Sequence, residues 1–399
     1  MNYRIKLRDI VFIAFCGAFF FAPISFFTVQ GGSFVDFLPA FLLLVLFFFM
    51  SFNRKVYTPL FKTAIVVLFA FLLVLFLSCV LNSSIKENFR VLITYTLFSL
   101  FFFMFISIDY SKKYVKIFFS VFIAYALLSS LIIILSTILK MPYAYSRFSF
   151  NAIGVVKNPN YIVTFILCPY ALLVYSLFFK NGFTIFKRVL LIIAVVIFLA
   201  AFLCSGTRSC ILTAAIVLLL CFLKLVFSLK NVGRNIFIVA CCLILAACFI
   251  TVIPNFVPQA TLQRLSPENI FKSEDNIRSI MWEDAFNYYF SSKPLLGLGV
   301  NGGGNYSNDK YGYILHNIPL QIVIDTGVIG FVLITIFIVA IFLRIQKHNR
   351  FFFIVFFVSL FVPLFFINGL YAVNFWFFVY VISFFAINQN KFITRGTFA

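Results

Sequence analysis

The sequence predicts an all-α polytopic integral membrane protein, and three observations predict it. Of the 399 residues, 64% are hydrophobic and 11% charged, and the mean hydropathy is +1.11. Soluble domains run at roughly 45–50% apolar and about 25% charged, so no water-soluble fold of this length hides so much apolar surface. Apolar runs recur along the whole chain, each near the roughly 20 residues that cross a hydrocarbon core. The basic residues, which give a net charge of +20, sit in short clusters between those runs. That is the distribution of topology determinants, and it argues against a nucleic-acid partner.

About 12 spans are expected, at about 10–29, 34–51, 63–81, 91–108, 115–138, 160–179, 189–205, 209–228, 236–253, 318–343, 351–368 and 373–389. Only Ser205-Gly206-Thr207-Arg208 separates the seventh from the eighth, a turn too short to leave the interface. No small-residue cleavage site follows the first apolar run, which reads as a retained helix. With the N-terminus inside, 20 Lys and Arg fall on cytoplasmic connections and 11 outside. Every cytoplasmic connection is then basic, and both termini are cytoplasmic. This divides the chain into helices 1–9 over 1–253, a large outward loop over 254–317, and helices 10–12 with the C-terminus over 318–399. All nine cysteines (Cys16, Cys79, Cys168, Cys204, Cys210, Cys221, Cys241, Cys242 and Cys248) fall in or beside apolar runs. No disulfide is expected in the loop, and no Cys/His spacing suggests a metal. The 62 phenylalanines reflect an AT-rich composition shared with Ile, Asn, Lys and Tyr, and carry no function.

The outward loop breaks this composition. Together with Asp325 just inside the next span, it holds seven of the eleven acidic residues. Ser273 is placed to cap a helix from about Glu274 to Ser291, and Glu274 and Asp275 suit its first turn. Arg278, Trp282, Ala285 and Tyr289 share one face of that helix, and Pro294 ends it. The following Pro294-Leu295-Leu296-Gly297-Leu298-Gly299 and Gly302-Gly303-Gly304 read either as a flexible loop or as backbone that approaches a ligand closely. The loop closes on His316-Asn317 and runs into Asp325-Thr326-Gly327-Val328-Ile329-Gly330. His348, the second of two histidines, lies in a basic cytoplasmic loop. His316 stands at the mouth of a helix on the outward side, where an imidazole can exchange a proton near neutral pH. Arg208 lies between two apolar spans, where a charge is costly and so more often functional than a snorkelling anchor. Arg278 could instead pair with Glu274 or Glu283 on a solvated helix. Arg147, beside Tyr143 and Tyr145, has a plain interfacial reading, as does Asp36. Asp325 reads as structural.

Taken in order, Asn158-Pro159-Asn160, Ser205-Gly206-Thr207-Arg208-Ser209, Arg278-x-x-x-Trp282, Pro294-Leu-Leu-Gly-Leu-Gly299, His316-Asn317-x-x-Leu320 and Asp325-x-Gly-x-x-Gly330 resemble the O-antigen polymerase and O-antigen ligase superfamily. The resemblance implies a class C glycosyltransferase-like membrane fold. It implies action on undecaprenyl-diphosphate-linked oligosaccharide at the periplasmic face of the inner membrane, without metal, nucleotide sugar or other cofactor. It gives His316, Arg278 and Arg208 catalytic roles, and Arg147, Asn160, Asn317 and Trp282 substrate contacts. The arginines would clamp the departing diphosphate with a permanently charged, multi-donor fork. His316 would orient or deprotonate the attacking hydroxyl, or hold a phosphate oxygen. Membrane lipid and a chain-length regulator are the further partners implied.

Three activities compete. A polymerase joins repeat units, a ligase moves the finished chain to lipid A–core, and a flippase moves substrate without chemistry. A transporter calls for ionisable residues within several spans, whereas here the acids gather in one outer loop. The chain lacks a clean Arg-x10-Gly element of polymerases, and Trp282 stands where ligases carry Leu. Polymerase is preferred because polymerases are numerous and divergent.

Overall fold

The computed structural model describes residues 59–82, 112–139, most of 159–227, 274–367 and 373–392, with short pieces at 151–152 and 155–156 and isolated positions elsewhere. The spans expected at about 10–29, 34–51, 91–108 and 236–253 lie outside the described residues apart from isolated positions, as do Asp36, Arg147 and the capping residue Ser273. Among the described residues the regular structure is helical except for one antiparallel pairing of Asn151–Ala152 with Val155–Val156. Five helical stretches among them are long and apolar enough to cross a membrane: Lys112–Ile138, Ile185–Cys204, Arg208–Val226, Ile318–Leu343 and Lys347–Phe366. Shorter apolar helices occupy Val66–Leu81, Val163–Phe179 and Phe378–Gln389. These bear out a multi-pass membrane protein.

The chain groups into two compact units. The second unit is built on α3 (Pro159–Phe179), α4 (Ile185–Cys204) and α5 (Arg208–Val226), with most of α2 (Lys112–Ile138) and α9 (Arg350–Phe361). Its core packs Ile166 and Tyr170 of α3 against Phe198 and Phe202 of α4 and Ala214 and Val217 of α5. Small residues at the contacts, Ala201, Cys210 and Ala214, let the backbones approach, the usual device where lipid supplies no hydrophobic drive between helices. Tyr170 puts its ring edge-on to Phe202 at 5.4 Å and donates its hydroxyl to the Ala214 carbonyl at 3.2 Å. Pro169 is tolerated inside α3, as prolines are in lipid-embedded helices whose neighbours make good the missing bond.

The first unit contains α1 (Pro59–Leu81), α6 (Glu274–Ser292), α7 (Gly302–Tyr311), α8 (Ile318–Leu343) and α10 (Val373–Phe392). Helix α1 is apolar all round. It buries Phe71, Val74, Leu75 and Ser78 and leaves Phe69, Leu73, Phe76 and Val80 exposed. A helix apolar on both faces belongs in lipid. It packs along α8, which also touches α6, α7 and α10.

Helix α8 is broken. Gly327 has φ 68° and ψ −174°, so two helical pieces meet there. A break at membrane depth strands carbonyls on one side and amides on the other, and lipid offers them no partner. The segment Pro294–Val300 supplies both kinds. The amides of Leu298 and Gly299 donate to the carbonyls of Ile324 and Asp325 at 2.8 and 3.0 Å. The amides of Val328 and Ile329 donate to the carbonyls of Pro294 and Leu295 at 3.0 and 3.3 Å. Gly297, at φ +76°, makes the approach possible: a Cβ there would lie 2.6 Å from the Asp325 carbonyl. The two readings open for this glycine-rich segment are a flexible loop and an approach to a ligand; the structure shows its backbone in close contact with the chain's own broken helix.

The end of α1 closes the arrangement. Ser78 Oγ donates to the Asp325 carbonyl at 3.0 Å, and Asn82 Nδ2 to the Gly297 carbonyl at 3.0 Å. Lys293 Nζ donates to Asn82 Oδ1 at 2.7 Å and to the Leu81 carbonyl, the last of α1, at 3.3 Å.

Candidate functional site

Helix α6 begins and ends almost where its sequence pattern places it. The expected face is the one that packs: Met281, Ala285 and Tyr289 are buried together with Leu315 and Ile324, and Trp282 lies against them. The Tyr289 hydroxyl donates to the Pro294 carbonyl at 2.5 Å, tying the helix to the segment that mends α8.

The triple glycine Gly302-Gly303-Gly304, read from sequence as a flexible loop or as backbone approaching a ligand, is instead the first turn of α7. Its N-cap Asn301 is left-handed at φ 61° and makes no side-chain cap bond. The cap comes instead from the buried Asp325, whose carboxylate accepts from the amides of Asn301 at 2.9 Å and Gly303 at 3.1 Å, and from Gln321 Nε2 at 3.2 Å. A carboxylate at a helix N-terminus meets unpaired amides and the positive end of the helix dipole. Asp325 is therefore structural, as expected, and Gly303 is glycine because a Cβ would press on Ile324 and Leu315.

This scaffold presents His316. The residue is half-buried with φ 48°, a left-handed conformation uncommon outside glycine and costing about 1–2 kcal/mol. It is held from both sides. Trp282 Nε1 donates to the carbonyl of Leu315 at 2.6 Å, and Asn317 caps α8 by accepting from the Leu320 amide at 3.0 Å. A strained backbone fixed this firmly is the kind of outlier that marks functional sites. Two motif residues given substrate contacts by the resemblance, Trp282 and Asn317, thus have polar atoms committed to positioning the histidine.

Arg278 lies half-buried on α6. Burial, and next the charge of the Arg278 guanidinium, hold the His316 imidazole down at about 4, well below its ordinary 6.5. The structure therefore brings Arg278 and His316 into one electrostatic environment, in which the imidazole is neutral at pH 7. Of the two acidic partners proposed for Arg278, Glu283 forms no ion pair with it among the described residues, and the side chain of Glu274 lies outside them.

Arg208 is the first residue of α5, in the second unit. It follows a tight turn in which Gly206 takes φ +60° and Ser205 Oγ donates to the Phe202 carbonyl at 2.7 Å. The Thr207 amide donates back to Ser205 Oγ at 3.3 Å. The turn is buried, and Arg208 emerges half-buried from it. Asn160 is the second residue of α3, its side chain outside the described set.

The sequence reading passed over a polar and aromatic cluster beside this core. Asp284 on α6 accepts at one oxygen, Oδ2, from Lys310 Nζ at 2.6 Å, Tyr306 at 2.8 Å and Tyr311 at 3.0 Å, the last three all on α7. The i, i+4 spacing of Tyr306 and Lys310 was the one local signal for it.

No curated protein matches the chain. Residues 193–335 match the family model described as O-Antigen ligase, a stretch that takes in Arg208, Arg278, Trp282, His316 and Asn317, and this match supports the O-antigen ligase and polymerase superfamily that the motifs resemble.

Proposed function

We propose that the protein is an O-antigen polymerase with a class C glycosyltransferase-like fold, joining undecaprenyl-diphosphate-linked oligosaccharide repeat units at the periplasmic face of the inner membrane, with both termini cytoplasmic. A hydroxyl of the incoming repeat unit attacks the anomeric carbon of the lipid-linked chain. The new glycosidic C–O bond forms as the sugar–phosphate C–O bond breaks, and the lipid diphosphate leaves with the bonding pair. The hydroxyl proton passes to His316. Arg278 stabilises the charge on the departing diphosphate, the role that elsewhere falls to a metal ion; for Arg208 the same role is proposed from its motif alone.

The observation that carries this reading is the pairing of a neutral, strained imidazole with a guanidinium. An imidazole kept unprotonated at pH 7 is free to accept a proton. The same arginine that depresses it is the natural partner of a phosphate, and anchoring a diphosphate there would return basicity to the histidine as the reaction needs it.

The matched family model is described as O-Antigen ligase, which favours a second reading, transfer of the finished chain to lipid A–core. Gel analysis of lipopolysaccharide from a deletion strain separates them. Core plus one repeat unit is the expected polymerase phenotype, bare core identifies a ligase, and an undisturbed ladder sinks both. Complementation with Arg278→Ala should fail to restore chain extension while the protein persists in the membrane. Arg278→Lys should rescue poorly, because a point charge does not reproduce a two-pronged fork.

A further inference from the structure

The cluster around Asp284 combines three features beyond what is needed to fix α7 on α6. Tyr288 and Tyr306 stack with ring centroids 4.2 Å apart and planes 8° from parallel. Tyr288 nonetheless keeps 45% of its surface exposed, and that surface cannot lie beneath Tyr306. The three donors from α7 converge on a single oxygen of Asp284, so among the described residues its Oδ1 accepts nothing. Lys310, half of its side chain exposed, stands 5.6 and 5.5 Å from the ring centres of Tyr306 and Tyr311. An exposed tyrosine ring therefore stands one helical turn from a carboxylate that keeps an oxygen without a hydrogen bond among the described residues and carries an ammonium group on the other. Its bonds to Lys310 and Tyr306 hold the Asp284 carboxyl below the usual carboxylate range.

A pyranose ring meets that description. Its axial C–H bonds form an apolar face that lies flat on an aromatic ring, and its edge carries hydroxyls that a carboxylate accepts from. A peptide or a phosphate fits less well: a phosphate would face the carboxylate, and a peptide gains nothing specific from a solvated ring beside a carboxylate. The cluster belongs to the unit that carries Arg278 and His316. Tyr306 and Tyr311 rest on the same small core as Trp282.

We propose that Tyr288, Asp284 and Lys310 form a carbohydrate subsite that holds a sugar ring of the lipid-linked oligosaccharide away from the reacting bond. This rests on the glycosyltransferase reading for the identity of the sugar. Binding there anchors the substrate through a non-reacting part, whose binding free energy is available to orient the reacting end.

The test uses the full-length protein in detergent. The probe is the repeat oligosaccharide freed from its lipid by mild acid, and saturation-transfer NMR reads its binding. The wild type binds. Tyr288→Ala weakens binding about tenfold, the ratio expected for the loss of one ring stack. Tyr288→Phe retains binding and Asp284→Asn weakens it. An unchanged thermal midpoint in the Tyr288 variants excludes unfolding as the cause. Equal binding by wild type and Tyr288→Ala, or no transfer to the sugar from wild type, overturns the subsite. If binding fails in that way while Arg278→Ala still abolishes chain extension, the subsite falls and the enzymatic reading stands. If the oligosaccharide binds and Tyr288→Ala releases it while Arg278→Ala extends chains normally, the subsite stands and the enzymatic reading falls.

Discussion

At the scale of single residues, the protonation of His316 is the most direct handle on mechanism. Its imidazole is held down to about 4 by burial and then by Arg278. A base must be unprotonated to act, so kcat/KM measured with lipid-linked repeat units should stay level from about pH 8 to about pH 5 and fall only as pH approaches the depressed value. Removing Arg278 removes one of the two causes of the depression. The acid limb in whatever activity Arg278→Ala retains should therefore move up toward the ordinary histidine range. Arg278→Lys, which keeps the charge, should leave that limb low while losing rate. His316→Gln should lose about 10²–10⁴ of the rate. A limb that stays put in Arg278→Ala would show that the guanidinium does not act on this imidazole. Trp282 is a positioning residue: Trp282→Phe removes the hydrogen bond to the Leu315 carbonyl and should lower kcat while leaving KM nearly unchanged.

At the scale of elements, the mended break in α8 explains two motifs together. Pro294-Leu-Leu-Gly-Leu-Gly299 and Asp325-x-Gly-x-x-Gly330 are the two sides of one backbone exchange. Gly297 and Gly182 both have positive φ, but only Gly297 has backbone close to where a Cβ would go. Gly182→Ala should therefore cost about 1 kcal/mol from its backbone conformation alone. Gly297→Ala should cost about 2–4 kcal/mol, since it also forces apart the exchanged hydrogen bonds. Thermal unfolding in detergent distinguishes them, and equal losses would mean that the contact contributes nothing. This is also where local sequence stopped being informative. Hydropathy located α1, α2, α3, α4, α5 and α8 to within a few residues, because the need to cover about 30 Å of hydrocarbon is written in each run. Helix α6 was legible from its buried face. Helix α7 was not: three glycines start it, and its cap is a carboxylate 22 residues further on, which no local rule detects. The left-handed His316 was equally invisible, because its strain is sustained by the bond that Trp282 makes to Leu315, 33 residues further on.

At the scale of the whole molecule, the charge bias predicts an orientation that can be measured. Lys310, exposed on α7, is expected outside, and His348 in the connection before α9 inside. In intact cells, Lys310→Cys should react with a membrane-impermeant maleimide added to the medium after the outer membrane is permeabilised, and His348→Cys only after lysis. The native cysteines that the structure describes, Cys79, Cys168, Cys204, Cys210 and Cys221, are buried and should stay silent. Reaction of His348→Cys from outside, with Lys310→Cys reacting only after lysis, would reverse the assignment of the large loop to the periplasm.

The carboxylate of Asp325 has a reach beyond the helix it caps. It fastens α7 to the upper piece of α8, and that piece starts at the residue next but one to His316. The upper piece is in turn stitched to α1 through Ser78. The position of the imidazole is thus set by three helices pinned to one another and not by the slack of the connecting chain, so a pull on the loop would leave it where it is.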